Sequence, residues 1–263
     1  MRILIRTSKW AIWARRLGSL ALPLAVVPIL MHRERMIASN DFHLIELIAM
    51  GVAAVALFLA LGAFARLWVT GDEGWGKATM GLFFSLLCLV PLAFILFLAL
   101  RYPPVSDVTT DFARPPGLVS PVETRSWTAE QRAALEAAFP NARTRSYPIE
   151  ASQMYALAAK LADARGWEPR ARREPQSALA EGQINVVATT LLGWRDEVVI
   201  RISGDAQGSV VAMRSTALHG IHDLGENGRR IEEFLAALDN QITLLLRDAP
   251  VAPAAPEPAE QGN

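Results

Sequence analysis

The sequence predicts an α+β protein in which N-terminal transmembrane helices precede a two-layer domain of about four antiparallel strands covered by helices. Long uncharged apolar runs occupy much of residues 1–101. Beyond them, segments with helical apolar spacing flank a group of segments in which apolar and polar residues alternate. We expect a membrane region over residues 1–101, a Pro-rich tether over 102–121, an α+β soluble domain over 122–248 and a disordered tail over 249–263.

Two runs in the membrane region, residues 47–65 and 78–100, contain no charged residue. Each is about long enough, as a helix, to cross a hydrocarbon core of roughly 30 Å. A third run, residues 17–31, is shorter and contains Pro23 and Pro28. It fits a retained transmembrane helix, a cleaved signal peptide or an interfacial helix, and the poor cleavage pattern favours the retained helix. The sequence therefore predicts two or three transmembrane helices.

The orientation follows from basic residues that precede the first run: Arg2, Arg6, Lys9, Arg15 and Arg16. Positive residues favour the cytoplasmic side of a membrane. With three spans, or with two spans after a cleaved signal, the second half of the chain then lies outside. Only an interfacial first segment would leave that half in the cytoplasm. We expect a multi-pass protein of the bacterial inner (cytoplasmic) membrane with a periplasmic soluble domain.

The soluble domain begins with two predicted helices. Thr128 and Gln131 have the spacing of a capping box, which predicts a helix that ends at Phe139 before Pro140. Apolar residues at helical spacing predict a second helix over residues 151–165, followed by a terminating glycine.

Extended segments follow over residues 167–173, 183–189, 198–202 and 209–216, with a hairpin loop over 204–208. A last helix carries one apolar stripe formed by Ile231, Phe234, Leu235, Leu238, Ile242 and Leu245.

The composition narrows the possible functions. The formal net charge is +0, whereas a nucleic-acid-binding domain normally carries a basic face. The single cysteine, Cys88, excludes a disulfide within the chain and a cysteine-based metal site. We expect no cofactor and no nucleic-acid partner.

Chemistry-bearing side chains concentrate over residues 214–231, between an apolar strand and the last helix. His219, His222 and Asp223 have a spacing that could hold a metal, but no other histidine is an obvious third ligand. Exposed imidazoles and a helix-capping aspartate are therefore favoured. Ser215 lacks a nucleophile elbow. Glycines before the helix could admit an anion beside Arg229 and Arg230, or could allow close packing at the corner.

Asp196 and Glu197 are adjacent on a strand, so their side chains point to opposite faces and cannot form an acid–base pair. We expect one to be structural and the other solvated. If the hairpin closes with Ser203 opposite Ser209, Arg214 becomes the diagonal neighbour of Asp196, and we predict an ion pair between them. A register slip of one residue would make Glu197 the candidate partner instead, and an anion-binding Arg214 is the functional alternative.

The soluble half resembles the bacterial family known as domain of unknown function 1499. The family has a motif before its final helix, Arg-Ser-x-Ser-Arg-x-Gly-x-Ser-Asp-x-Gly-x-Asn. Six residues of this chain match it: Arg214, Ser215, Gly220, Asp223, Gly225 and Asn227. Arg230 and Ile231 follow the motif. Asp196-Glu197 resembles its acidic pair, and residues 116–120 resemble its Pro-Asn-Cys-Val-Ser stretch. The chain departs from these patterns at Leu118, Ala217, Leu218 and His222. The resemblance implies an envelope-associated domain and no particular reaction, with the membrane half as an added anchor.

Two functions remain open. The favoured one is a membrane-anchored cell-envelope protein whose soluble domain binds a partner, lipid or small ligand without catalysis. The alternative is an envelope hydrolase or metal-dependent enzyme that uses residues 214–227. The lipid bilayer is one expected partner, an envelope protein or lipid is another, and the oligomeric state is open. The candidate ligand or structural residues are Asp196, Glu197, Arg214, Ser215, His219, His222, Asp223, Asn227 and Arg230.

Overall fold

The computed structural model describes residues 6–120, 126–220 and 222–247. Three N-terminal helices, α1 (Lys9–Arg33), α2 (Ser39–Thr70) and α3 (Trp75–Arg101), are long and apolar enough to cross a membrane. The helix α1 extends well beyond the predicted run and contains both Pro23 and Pro28. Its length and apolar character support the retained-helix interpretation of the first segment.

The three helices contact one another through small residues. The buried positions are mostly Ala, Gly, Ser and Cys, and the large apolar side chains of the same helices are mostly exposed on the outer surface. Small residues allow helix backbones to approach closely, which drives helix association where lipid removes the hydrophobic advantage of large side chains. Gly81 shows how close the approach is, because an added Cβ atom would lie 2.6 Å from the Ala14 carbonyl carbon.

The second half of the chain forms six strands and three helices within the described residues. In chain order they are β1 (Asp107–Thr109), α4 (Ala129–Ala138), β2 (Arg145–Tyr147), α5 (Ala151–Ala164), β3 (Glu168–Arg173), β4 (Glu181–Thr189), β5 (Arg195–Asp205), β6 (Gly208–Ala217) and α6 (Glu226–Arg247). The strands pair antiparallel in the order β1-β6-β5-β4-β3, and β2 pairs with β6 beside β1. The predicted α+β class is confirmed.

The strand count exceeds the prediction by two short strands. The strands β1 and β2 have three residues each, too few to show an alternating pattern in the sequence. Both pair with β6, which thereby has partners along both of its edges. The capping box that begins α4 is present: Thr128 Oγ1 accepts from the Gln131 backbone, and the Gln131 side chain accepts from the Thr128 backbone.

One face of the sheet, with Ile184, Ile200 and Met213, packs against α5 and α6 and forms the hydrophobic core. The predicted stripe of α6 is buried from Ile231 to Ile242, but Leu245 is 47% exposed, so the buried contact ends one turn earlier than predicted. The core follows the predicted layer arrangement of helices on one sheet face.

The opposite face of the sheet is covered by residues 111–120, which we call the strap. The strap provides backbone acceptors to side chains of the sheet: Arg114 O binds Arg201, Pro116 O binds Arg214, and Gly117 O binds Gln183 and Asn185. The expected tether over 102–121 therefore includes a sheet strand and a covering layer. The segment lies against the sheet, held by the hydrogen bonds to its carbonyl groups. Pro121 and the predicted disordered tail over 249–263 lie outside the described residues.

The membrane helices and the sheet domain contact each other directly. His32 Nδ1 lies 2.7 Å from Leu192 O, and Arg33 donates to Leu191 O at 2.7 Å, so the end of α1 holds the β4–β5 loop. Gly193 in that loop has a φ of +91°, and an added Cβ atom would lie 2.8 Å from the Arg33 Cα atom. Only glycine satisfies both the backbone conformation and this close approach.

Candidate functional site

The turn between β6 and α6 also contacts the membrane helices, through His222. The Leu224 N–H donates to His222 Nδ1 at 3.0 Å, so Nε2 carries the ring proton and donates to Ala99 O at 3.2 Å. Gly225 has a φ of +78°, and an added Cβ atom would lie 2.5 Å from the Tyr102 ring. Close packing, which the sequence offered as the alternative to an anion site, therefore accounts for this glycine.

Asp223 occupies the N-terminus of α6. Its carboxylate accepts from the Gly225 N–H at 3.0 Å and from the Asn227 N–H at 2.8 Å. These are the donors that an anion at a helix N-terminus would use. The predicted capping role of Asp223 is confirmed, and the protein's own carboxylate takes the position proposed for a bound anion. Burial raises the pKa of Asp223, and the hydrogen bonds from Asn227 and Gly225 offset part of that rise.

A buried polar network connects the ends of β5 and β6 to α6. Ser215 donates its hydroxyl hydrogen to Asn227 Oδ1 at 2.6 Å, and Arg230 Nη1 contacts both residues, at 3.0 Å and 2.6 Å. Arg230 Nη2 lies 2.7 Å from Asp196 Oδ2. The hydroxyl of Ser215 therefore serves the network, and none of its partners in the described chain is the imidazole base that a nucleophilic serine needs.

Asp196 is 2% exposed, and burial raises its pKa to about 6. The positive charge of Arg230 lowers the pKa, whereas the negative charges of Asp223 and Glu226 raise it. The Oδ2 atom of Asp196 lies in the ion pair with Arg230. The pKa of Asp196 is therefore strongly perturbed. Perturbed pKa values are characteristic of functional sites, and structural ion pairs also produce them.

Glu197 lies on the opposite face of the sheet and is fully buried. Its carboxylate accepts from the strap at Val119 N (2.7 Å) and Ser120 N (2.9 Å), and from Asn185 Nδ2 (2.9 Å). Burial alone would raise the pKa of Glu197, but these hydrogen bonds outweigh it and hold the pKa below the usual value. The prediction that one of the two adjacent carboxylates is solvated is wrong, because both are buried.

The predicted ion pair between Arg214 and Asp196 is also wrong. The hairpin closes with Gly204 opposite Ser209, one residue from the predicted register, so Arg214 lies opposite Val199 on the face of the strap. Its guanidinium forms a fork with Asp107, with Nε–Oδ1 at 3.0 Å and Nη2–Oδ2 at 2.7 Å. The one-residue shift in register does not make Glu197 the partner of Arg214 either, because Arg214 binds the carboxylate of Asp107 in β1.

The pair between Arg214 and Asp107 is held further by Trp127. The Trp127 ring lies 5.3 Å from the guanidinium carbon, and its Nε1 donates to Asp107 O at 2.8 Å. Because Nε, Nη1 and Nη2 each donate to a protein group and Arg214 is only 2% exposed, the geometry favours a structural role for Arg214 over the anion-binding alternative.

The two histidines of residues 214–231 differ in their exposure. His219 is exposed and His222 is half-buried. No group of three or more His, Cys, Asp or Glu side chains in the described part of the chain could hold a metal ion.

A cavity of about 460 Å³ lies at the junction of the membrane helices and the sheet domain. We call it the junction cavity. Its polar lining comes from both halves: His43 from α2, Asp196 from β5, and His219, His222, Asp223 and Glu226 from the β6–α6 turn and helix. The motif thus contributes one wall, and the membrane helices contribute another that motif reasoning could not identify.

A second, mostly apolar cavity of about 350 Å³ lies between α1, α2 and α3. We call it the helix cavity. His43, Ile95 and Trp194 line both cavities, so the two adjoin. Trp194 contacts Phe42 and His43 at ring distances of 5.6 Å and 5.7 Å. No local pattern indicates this aromatic cluster, because Trp194 is 151 positions from His43 in the sequence.

Comparison with known proteins supplies the last observation. No curated protein matches the chain. The model of a protein family of unknown function, DUF1499, matches residues 107–238, from the first residue of β1 into α6. That match covers half of the chain. It includes the buried polar network around Arg230 and the pair formed by Arg214 and Asp107. The chain therefore belongs to the DUF1499 family, with three candidate transmembrane helices preceding the family domain.

Proposed function

We propose that this protein is a membrane-anchored envelope protein that binds an amphiphile, without catalysis, at the junction of its two halves. The observation that carries the proposal is the adjoining pair of cavities. The junction cavity is lined by ionisable side chains, and the helix cavity beside it is lined mainly by apolar ones. A lipid-like molecule has the same division between a polar head and an apolar chain.

The size and position of the cavities support this function. Both volumes fall within the range of about 300–1,000 Å³ that is usual for ligand pockets. The helix cavity lies between helices that would be embedded in lipid, and the β4–β5 loop contributes Leu192 and Trp194 to it. An acyl chain in the helix cavity would place its head beside Asp196 and the β6–α6 turn.

The absence of catalysis is proposed from the arrangement of the polar groups. Ser215 and Arg214 are fully engaged in structural hydrogen bonds, and Asp223 caps α6. The polar groups of the motif therefore support the wall of the junction cavity. We further propose that the sheet domain lies on the periplasmic side.

The proposal can be tested with the full chain in phosphatidylcholine nanodiscs. The probe is a neutral monoacylglycerol whose acyl chain carries bromine, which quenches tryptophan fluorescence on contact. We expect a saturable component of the quenching that is absent in Trp194→Phe, whereas exposed tryptophans such as Trp68 account for the quenching that remains. Ile95→Phe, which adds bulk where the cavities adjoin, should raise the half-saturating mole fraction by about tenfold, equivalent to roughly 1.4 kcal/mol.

Leu96→Phe is the matched control, since Leu96 is adjacent in α3, is 59% exposed and lines neither cavity. It should change the half-saturating mole fraction by less than about twofold, within the usual effect of a surface substitution. Quenching of Trp194 that never saturates, or that Ile95→Phe and Leu96→Phe alter equally, would exclude binding at this site.

A further inference from the structure

We infer that the amphiphile carries a cationic head, an amine or quaternary ammonium group, which lies in the junction cavity between the carboxylates and the aromatic cluster. This inference rests on the proposed amphiphile binding and specifies the chemistry of the head. The first observation is the sign of the lining charges. Asp196, Asp223 and Glu226 line the junction cavity, and Glu46 lines the helix cavity beside it.

No arginine or lysine in the described part of the chain lines either cavity. Arg230 neutralises part of this charge, because it pairs with Asp196 at 2.7 Å and approaches Glu226 at 3.5 Å. Arg229 pairs with Glu226 at 2.9 Å and lies over the Tyr102 ring, away from the lining. The cavity therefore presents more negative than positive charge to a ligand, apart from its histidines.

The second observation is an unsatisfied acceptor in the helix cavity. The buried Oε1 atom of Glu46 has no hydrogen-bond partner in the described chain. Buried carboxylate oxygens without donors are costly, and an ammonium group carries donors or positive charge that would satisfy them. An anionic head would instead add charge of the same sign.

The third observation is the aromatic cluster at the place where the cavities adjoin. Trp194 and His43 line both cavities, and Phe42 lines the helix cavity. Aromatic side chains beside carboxylates are the usual recognition elements for ammonium groups, because the ring faces attract a cation electrostatically. This arrangement favours a cationic head over a neutral one and opposes an anionic one.

The experiment compares heads on one chain length. Tetradecyltrimethylammonium, tetradecyl maltoside and tetradecyl sulfate would compete against the brominated monoacylglycerol in nanodiscs that contain the full protein. Concentrations are expressed as mole fractions in the bilayer, so that different partitioning does not affect the comparison. All three competitions are measured at the same pH and ionic strength.

We expect the ammonium amphiphile to displace the probe at about a tenfold lower mole fraction than the maltoside, with the sulfate the weakest. The relevant ratio is the displacing mole fraction of the maltoside divided by that of the ammonium amphiphile. Glu226→Gln removes one lining charge at a partly exposed position and should reduce this ratio by about threefold. Glu233→Gln on the same helix lines neither cavity and should leave the ratio unchanged.

Equal displacement by the ammonium and maltoside compounds, or stronger displacement by the sulfate, would overturn the inference of a cationic head. The proposed binding of an amphiphile would remain intact. A ratio that neither Glu226→Gln nor Asp196→Asn alters would overturn it too. If the neutral probe never binds saturably, both this inference and the proposed function fail.

Discussion

Arg214 and Asp107 are buried so completely that each depends on the other for its charge balance. Their relative exposures are 2% and 4%. Removing one partner of such a pair leaves an uncompensated charge and typically costs about 3–5 kcal/mol, whereas removing both costs much less than the sum. We predict strongly non-additive losses for Arg214→Met and Asp107→Asn in a double-mutant cycle, measured by thermal unfolding of the full chain in detergent.

A second cycle provides the control. Asp196 lies on the other face of the sheet and pairs with Arg230, so Arg214→Met and Asp196→Asn should combine additively within about 0.5 kcal/mol. Coupling in this control, with none between Arg214 and Asp107, would contradict the observed register.

The same residues show where sequence reasoning reached its limit. The adjacent positions of Asp196 and Glu197 correctly predicted side chains on opposite faces, because that follows from strand geometry alone. The partner of Arg214 depended on the hairpin register, which differs by one residue from the prediction. It also depended on β1, whose three residues bring Asp107 next to β6 from a distant part of the sequence. The local sequence pattern indicates neither the hairpin register nor the pairing of β1 with β6.

At the scale of elements, the contact between α1 and α3 depends on two glycines. An added Cβ atom on Gly81 would lie 2.6 Å from the Ala14 carbonyl carbon, and one on Gly18 would lie 2.9 Å from Gly81 O. Backbone atoms cannot move aside as a flexible side chain can, so the helices would have to separate. We predict that Gly81→Val lowers the thermal unfolding temperature of the full chain in detergent by several degrees, equivalent to about 1–3 kcal/mol.

Gly51→Val tests whether the effect belongs to the helix contact. An added Cβ atom on Gly51 meets no atom within 4 Å, although it too lies inside a membrane helix. Its substitution should therefore change the unfolding temperature little. Equal destabilisation by Gly51→Val and Gly81→Val would point to a general cost of valine in these helices.

The elements themselves were predictable to different extents. The helices α4, α5 and α6 were evident from capping residues and apolar spacing, which act within a few turns of chain. The strap was interpreted as a tether because prolines indicate extended chain without indicating what the chain contacts. Its role rests on side chains such as Arg201 and Asn185, which bind backbone groups of the strap from far along the sequence.

At the scale of the whole molecule, the contacts between the halves determine which ends of the helices lie on the same side of the membrane. The α1–α2 turn is beside the sheet domain, since Arg33 holds the β4–β5 loop. The α2–α3 turn is at the opposite end, where Glu73 pairs with Thr7. If the three helices cross the membrane, Met36 and the sheet domain share one side, and Asp72 lies on the other.

The basic N-terminal segment then gives the direction. Arg6, Lys9, Arg15 and Arg16 precede or begin the first span, and such residues favour the cytoplasmic side. We predict that an impermeant maleimide labels Met36→Cys but not Asp72→Cys in intact cells, and that a reporter active only in the periplasm is active when fused after Asp248. Cys88 is buried in the helix bundle and should not react. Permeabilised cells, in which both cysteines should be labelled, provide the control. Labelling of Asp72→Cys alone in intact cells would reverse the orientation and place the junction cavity at the cytoplasmic surface.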